Sequence, residues 1–193
     1  MEYLWNLATR DHFCEYVSYE QAFSQYELAQ INEMWNEENH MDAEVSNDSG
    51  TDEELRKSNV VWIFDNPDNR WLYNRIGQIG SQTNMERYGF EILGYNDALQ
   101  MAEYTEGHFF EWHMDFGPGG ASNRKLSISV QLSDSDEYEG GDLQFMINHK
   151  ILCAPRTKGT VVIFPSFVLH RVTPITKGTR RSIVGWLAGQ PYR

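Results

Sequence analysis

The residues best suited to chemistry lie in two short segments. In Phe109-Phe110-Glu111-Trp112-His113-Met114-Asp115 an imidazole and a carboxylate stand two positions apart at the end of an apolar run. If that run is a strand, side chains two apart share a face, so His113 and Asp115 project together. Such a pair suits a divalent first-row metal. A third ligand is available in His170, within Val168-Leu169-His170-Arg171-Val172. Two imidazoles and a carboxylate on one face of an octahedron leave three positions open, which fits ferrous iron and oxygen chemistry. Zinc would complete a tetrahedron more readily and would leave the surrounding pattern without a use.

His-x-Asp alone is a common triplet, and an isolated histidine after an apolar strand is ordinarily a packed core residue. Context distinguishes this pair. After His170 the chain runs Arg171-Val172-Thr173-Pro174-Ile175-Thr176-Lys177-Gly178-Thr179-Arg180, then enters a strand carrying Gly185-Trp186. A basic group on the strand after the distal histidine answers a specific need. A 2-oxoglutarate molecule that chelates iron through its keto-acid end leaves a far carboxylate to be paired inside the fold. Guanidinium is the fitting partner, being planar, always charged and bidentate. Arg181 competes with Arg180 for this role, but neighbours on a strand face opposite ways, so one of the two should point inward.

The elements that must position these groups can be read from periodicity. From residue 88 onward short apolar runs alternate with turn chemistry. Strands are expected at 89–93, 99–104, 109–114, 126–132, 142–147, 160–164, 168–171 and 182–187, a spacing that indicates a sandwich or barrel. Upstream, residues 15–21 suit a strand. Ser24-Gln25-Tyr26-Glu27 is a capping box opening a helix with Leu28, Ile31 and Trp35 on one face. Residues 36–54, acidic and without periodicity, read as a surface loop or a lid. Residues 60–64 suit a buried strand, and Asn66-Pro67-Asp68 opens a second helix with the stripe Leu72, Ile76 and Ile79. The expected fold is mainly β with flanking helices (α+β), one domain over 1–193 in which 1–87 support a barrel core at about 88–193.

The motifs "EGHFFEWHMD", "RKLSISVQLSDSDEYEGGDLQF", "GTVVIFPSFVLHRVTP" and "GTRRSIVGW", in that order, resemble the prolyl 4-hydroxylase-type branch of the 2-oxoglutarate/iron(II) oxygenases, and among these the short single-domain bacterial and phage members. The resemblance implies a double-stranded β-helix, a jelly-roll barrel related to the cupins. It implies Fe(II), 2-oxoglutarate and O2, with ascorbate as a candidate reductant, and catalytic roles for His113, Asp115, His170 and Arg180. His113, Asp115 and His170 match the metal ligands, and Arg180 matches the partner of the far carboxylate. Tyr104 matches a tyrosine near the co-substrate. Gln131 stands where some relatives have another tyrosine, and Trp186 matches a barrel aromatic beside the co-substrate, a place where simple core packing would serve as well. The implied reaction hydroxylates an unactivated C–H bond and releases succinate and CO2. The implied substrate is a prolyl or other amino-acid side chain in a peptide or protein, with a free amino acid or a nucleic acid as alternatives.

Composition narrows these choices. A formal charge of −12 and a pI near 4.8 oppose binding to a phosphate backbone, so nucleic acid is disfavoured. No apolar run is long enough to span a membrane, and the first residues lack the pattern of a signal peptide. Cys14 and Cys153 fit neither a disulfide framework nor a metal knuckle, which suggests reduced thiols and a cytoplasmic protein, bacterial or from a phage-infected host. His12, His40, His108 and His149 carry no pattern and are read as surface or loop residues. Two other readings use a similar barrel. A non-catalytic ligand-binding module would be expected to lack a metal ligand or Arg180, and a cupin-like oxygen-activating enzyme independent of 2-oxoglutarate has no need of Arg180. Oligomeric state has no signature in the sequence.

Overall fold

The computed structural model describes residues 14–36, 41–42 and 55–191. The expected 36–54 lid, together with His12 and His40, falls almost entirely outside them. In chain order the elements are β1 (Val17–Tyr19), α1 (Gln25–Asn32), β2 (Met41–Asp42), β3 (Arg56–Lys57), β4 (Asn59–Ile63) and α2 (Arg70–Thr83), which continues into a π-helical turn (Asn84–Tyr88). Then come β5 (Gly94–Tyr95), β6 (Leu99–Tyr104), β7 (Phe109–His113), β8 (Arg124–Gln131), β9 (Tyr138–Gly140), β10 (Leu143–Ile147), β11 (Lys150–Cys153), β12 (Val161–Pro165), β13 (His170–Val172), β14 (Ile175–Gly178) and β15 (Arg180–Ala188). A major sheet runs β1-β12-β8-β15-β6-β4-β2, with β5 beside the end of β15. A minor sheet runs β11-β10-β13-β7-β3, and β14 pairs β9 as a ribbon. Every pairing is antiparallel, giving the double-stranded β-helix expected from the motifs.

Alternation in the major sheet assigns each face its job. On β8, Leu126, Ile128 and Val130 join the core beneath the helices, while Ser127, Ser129 and Gln131 occupy the other face. On β6, Leu99 and Met101 take the helix side, and Gln100, Ala102 and Tyr104 the barrel side. On β15, Ile183 and Leu187 meet the helices while Arg180, Ser182 and Trp186 face the barrel. Both faces are buried, yet one is aliphatic and the other largely polar. The aliphatic face is core, sealed by Leu28 and Ile31 of α1 and by Leu72 and Ile76 of α2. A polar face turned inward has no packing rationale of its own, and marks a place built to hold something.

The capping box at Ser24 and Glu27 forms as expected, with Glu27 N–H donating to Ser24 Oγ and Ser24 N–H donating to Glu27 Oε2. The strand expected at 89–93 does not form. Gly89 takes a left-handed conformation (φ 70) after the π-helical turn, and Asn84 pairs with both backbone groups of Phe90 through its side chain. A side-chain amide thus supplies the bonds that a neighbouring strand would have supplied.

Candidate active site

His113 closes β7, His170 opens β13, and the two are register partners across the minor sheet. Asp115 lies just beyond β7, anchored where the Phe116 N–H donates to Ser166 O at 3.0 Å. His113 Nε2 is 3.8 Å from Asp115 Oδ1, and His170 Nε2 is 3.7 Å from Asp115 Oδ2. One ligand atom from each residue falls within 4.8 Å of the others. Backbone carbonyls orient both rings: His113 Nδ1–H donates to Glu111 O (2.7 Å) and His170 Nδ1–H to Val168 O (2.9 Å). That leaves Nε2 as the lone-pair nitrogen of each ring, on the side of the carboxylate. A register irregularity between β13 and β7 brings Phe110 onto the face of His113, their rings stacked at 3.4 Å.

The electrostatics suit a cation. Burial, assisted by His170, pushes the His113 imidazole down to about 3, so it is neutral at ordinary pH, the form that ligates. Burial alone would raise the Asp115 carboxyl. His170, His113 and the Ser127 hydroxyl outweigh it and hold the group below its usual range. Ser127 Oγ donates to Asp115 Oδ2 at 2.5 Å and lies 3.1 Å from Ser166 Oγ. Arg124 Nη1 donates to the Asp115 backbone O at 3.4 Å, but among the described residues no lysine or arginine side chain pairs with the carboxylate of Asp115, whose side chain is 9% exposed. A carboxylate so enclosed and lacking a fixed cation is costly unless an ion completes it. Two imidazoles that turn Nε2 toward one carboxylate are a donor set that ferrous iron fits.

Arg180 shows the converse imbalance. It is 3% exposed, its guanidinium sits 5.6 Å from the ring of its register partner Tyr104, and Nη1 donates to Ser182 Oγ at 3.4 Å. Among the described residues no carboxylate lies within ion-pair distance of it. Arg181 points the other way, with Nη2 2.6 Å from Glu103 Oε2 and its guanidinium over Trp35. Of the two, Arg180 is the one that faces the cavity, as alternation along a strand requires for one of them.

Asp115, His113, His170 and Arg180 border one cavity of about 620 Å³. Tyr104 and Trp186 line it too. Trp186 is packed beneath the Arg124 guanidinium (3.9 Å), which is itself paired with Asp97 (2.9 Å). Trp186 adds to the lowering of Asp115, although its buried Nε1 has no partner at ordinary hydrogen-bond distance. Gln131 lies apart from this cavity: it donates to Tyr138 Oη (2.9 Å) and to Ser133 O (3.1 Å). With Arg180 and Tyr138 it borders a space of about 10 Å³, room for a single water. Sequence reasoning overlooked Ser127, Arg124 and Tyr138. The signal for Ser127 was present in the alternation Leu126-Ser127-Ile128-Ser129, where hydroxyls recur on the inward face of a buried strand.

Residues 99–188, just under half of the chain, match the family described as the 2OG-Fe(II) oxygenase superfamily. A PKHD-type hydroxylase of Synechococcus sp. (strain CC9605) is 34% identical over 99 residues, covering 51% of this chain and 45% of that protein. The chain thus spans about half the length of such relatives. Among solved structures, a Pseudomonas putida prolyl-4-hydroxylase superposes with a TM-score of 0.73 at 19% identity, covering 91% of this chain and 93% of that one. A Trichoplax adhaerens prolyl hydroxylase, solved in complex with a hypoxia inducible factor oxygen degradation domain peptide fragment, gives 0.75 at 16% identity, covering 90% and 83%. The fold is theirs, and the motif resemblance holds over the barrel segment.

Proposed function

We propose that this chain, whose barrel segment carries the 2OG-Fe(II) oxygenase signature, is a 2-oxoglutarate-dependent dioxygenase of the prolyl 4-hydroxylase type, a single domain over 1–193. Its substrate is a prolyl or other amino-acid side chain in a peptide or protein. The reading rests on a pair of complementary deficits in one cavity: among the described residues, the buried Asp115 carboxylate has no lysine or arginine partner and the buried Arg180 guanidinium has no carboxylate partner. A ferrous ion and a dicarboxylate co-substrate would satisfy both.

In this reading His113, Asp115 and His170 hold the metal, and Arg180 pairs with the far carboxylate of 2-oxoglutarate. With iron and 2-oxoglutarate bound, O2 would be the oxidant: one of its atoms would become the hydroxyl on the former C–H carbon and the other would enter succinate, formed with CO2 from 2-oxoglutarate. The protein's residues bind, orient and shield. The two Nδ1–H bonds fix the imidazoles, and Ser127 steadies the Asp115 carboxylate. Tyr104, alongside the Arg180 guanidinium, keeps that cation from swinging away. Phe110, Phe164 and Trp186 line the cavity with rings that keep bulk water from the reacting bond. Ascorbate serves as reductant if iron is oxidised without turnover. Both cysteines are free, which fits the cytoplasmic placement of this reading. The described residues include no helix long and apolar enough to cross a membrane.

The test combines binding with turnover. Titration of the Mn(II)-loaded protein with 2-oxoglutarate should show saturable affinity. Arg180→Ala should weaken it by about 2–3 kcal/mol, roughly 30- to 150-fold, with the metal site intact. Asp115→Ala should remove metal binding and, with it, tight 2-oxoglutarate binding. Oxygen-dependent succinate release should require all four residues. Unchanged 2-oxoglutarate affinity in Arg180→Ala would overturn the assignment.

A further inference from the structure

One charge in the cavity remains after this account. With ferrous iron and the 2-oxoglutarate dianion in place, their charges cancel those of Asp115 and Arg180. Arg124 is cancelled by Asp97, 2.9 Å away. Arg56 is left over. It lines the same cavity, and among the described residues no carboxylate lies within ion-pair distance of it.

Arg56 is also held in place. It sits on β3, in register with Phe110, and its guanidinium lies 4.7 Å from the centre of that ring. Nε–H donates to Ser58 Oγ at 2.9 Å, and Nη2–H donates to Gln100 Oε1 at 2.8 Å. β3 belongs to the minor sheet and Gln100 to β6 of the major sheet, so this side chain bridges the two across the cavity wall. Ser58 and Gln100 are both buried. A guanidinium has five N–H groups, and these two bonds use two of them, leaving donors for a planar two-oxygen acceptor. An arginine fixed by neutral partners and an aromatic face, with no acid to neutralise it, is preorganised for an anion.

We propose that Arg56 is a substrate anchor: it binds a carboxylate on the molecule to be hydroxylated and so selects substrates that carry one near the target carbon. The proposal rests on the oxygenase reading above, because it assigns the part of the cavity that 2-oxoglutarate leaves open. That carboxylate has two chemical sources, the side chain of an acidic residue flanking the target in a peptide and the α-carboxylate of a free or C-terminal amino acid. The net charge of −12 gives the protein no general attraction for acids, so a preference for them must be made locally.

Two matched pairs of probes distinguish the sources: acetyl-Glu-Pro-amide against acetyl-Gln-Pro-amide, and N-acetylproline against N-acetylprolinamide. Dissociation constants are measured on the protein loaded with Mn(II) and 2-oxoglutarate, so that binding is read without turnover. The expected result is at least a tenfold preference for the carboxylate member of one pair. That preference should fall to near unity in Arg56→Ala and be only partly restored in Arg56→Lys, which keeps the charge and loses the fork. Affinity for 2-oxoglutarate, measured in parallel, should be unchanged in both variants, which also shows that they fold. No carboxylate preference in either pair, or a preference that survives Arg56→Ala, overturns the anchor while leaving the oxygenase reading standing. Loss of 2-oxoglutarate binding by the unmodified protein would instead remove the reading on which it rests.

Discussion

Asp115 is held by neighbours that never need to touch a ligand. Ser127 reaches its Oδ2 from the inward face of β8, with Ser166 behind it. A carboxylate free to rotate would spend part of its time in geometries that cannot ligate, so Ser127→Ala should weaken metal binding by about tenfold without removing it. Calorimetric titration of Mn(II) into the variant checks this, and an unchanged affinity would show that burial alone positions the carboxylate. The neutral state of His113 has a related origin, since burial and His170 push it to about 3 and leave the ring uncharged at neutral pH. Protons therefore compete with the metal at this ring only in strongly acidic solution.

At the scale of elements, legibility followed the length of the pattern. β6 and β8 alternate apolar with polar residues, β12 is an unbroken apolar run, β15 is long, and the expected ranges lie within a few residues of those formed. β9, β11 and β14 went unseen, because three or four residues carry too little alternation to separate a strand from a turn. The convergence of His113, Asp115 and His170 and the inward aspect of Arg180 could be read because motif spacing and strand alternation both bear on them. Arg56 could not: it stands on a two-residue strand beside an acidic loop, and its importance arises only when the barrel brings it against Gln100 and Phe110. Tyr138 was equally silent, a tyrosine before two glycines whose burial depends on the β9–β14 ribbon. That ribbon closes on Gly140, which has φ 75 and would place an added Cβ 2.1 Å from Pro174 O. Because the obstacle is backbone, Gly140→Ala should cost about 2 kcal/mol or more, read as a lower denaturant midpoint at unchanged slope.

For the whole molecule, the candidate site joins parts that are otherwise separate. His113 and His170 belong to the minor sheet, Arg180 to the major sheet, and Asp115 to the segment between β7 and β8. A metal ion and 2-oxoglutarate bound together would tie these parts across the cavity, and anything that binds the folded state alone stabilises it by mass action. With Mn(II) saturating and 2-oxoglutarate at a hundred times its dissociation constant, the added stability from the latter is about 2.7 kcal/mol. In a chain of this size that corresponds to a rise in Tm of roughly 5–10 °C, measured by differential scanning calorimetry. At the same 2-oxoglutarate concentration, a roughly 30- to 150-fold weaker Arg180→Ala should keep only about 0.3–0.9 kcal/mol of the increment. A full increment in that variant would mean that the dicarboxylate binds elsewhere.

β15 pairs with β6 on one side and with β8 on the other, so neither of its flanks is open. Its first two residues are both arginines with opposite duties: one is enclosed beside Tyr104, the other neutralised by Glu103. A shift by a single position would break one of these duties: one way, Arg180 would leave the chamber for the side of Glu103; the other way, Arg181 would enter the chamber and leave Glu103 without its partner. The spacing between β14 and β15, a single residue at Thr179, is therefore matched to the side chains it delivers, and an insertion there would move both arginines off their partners.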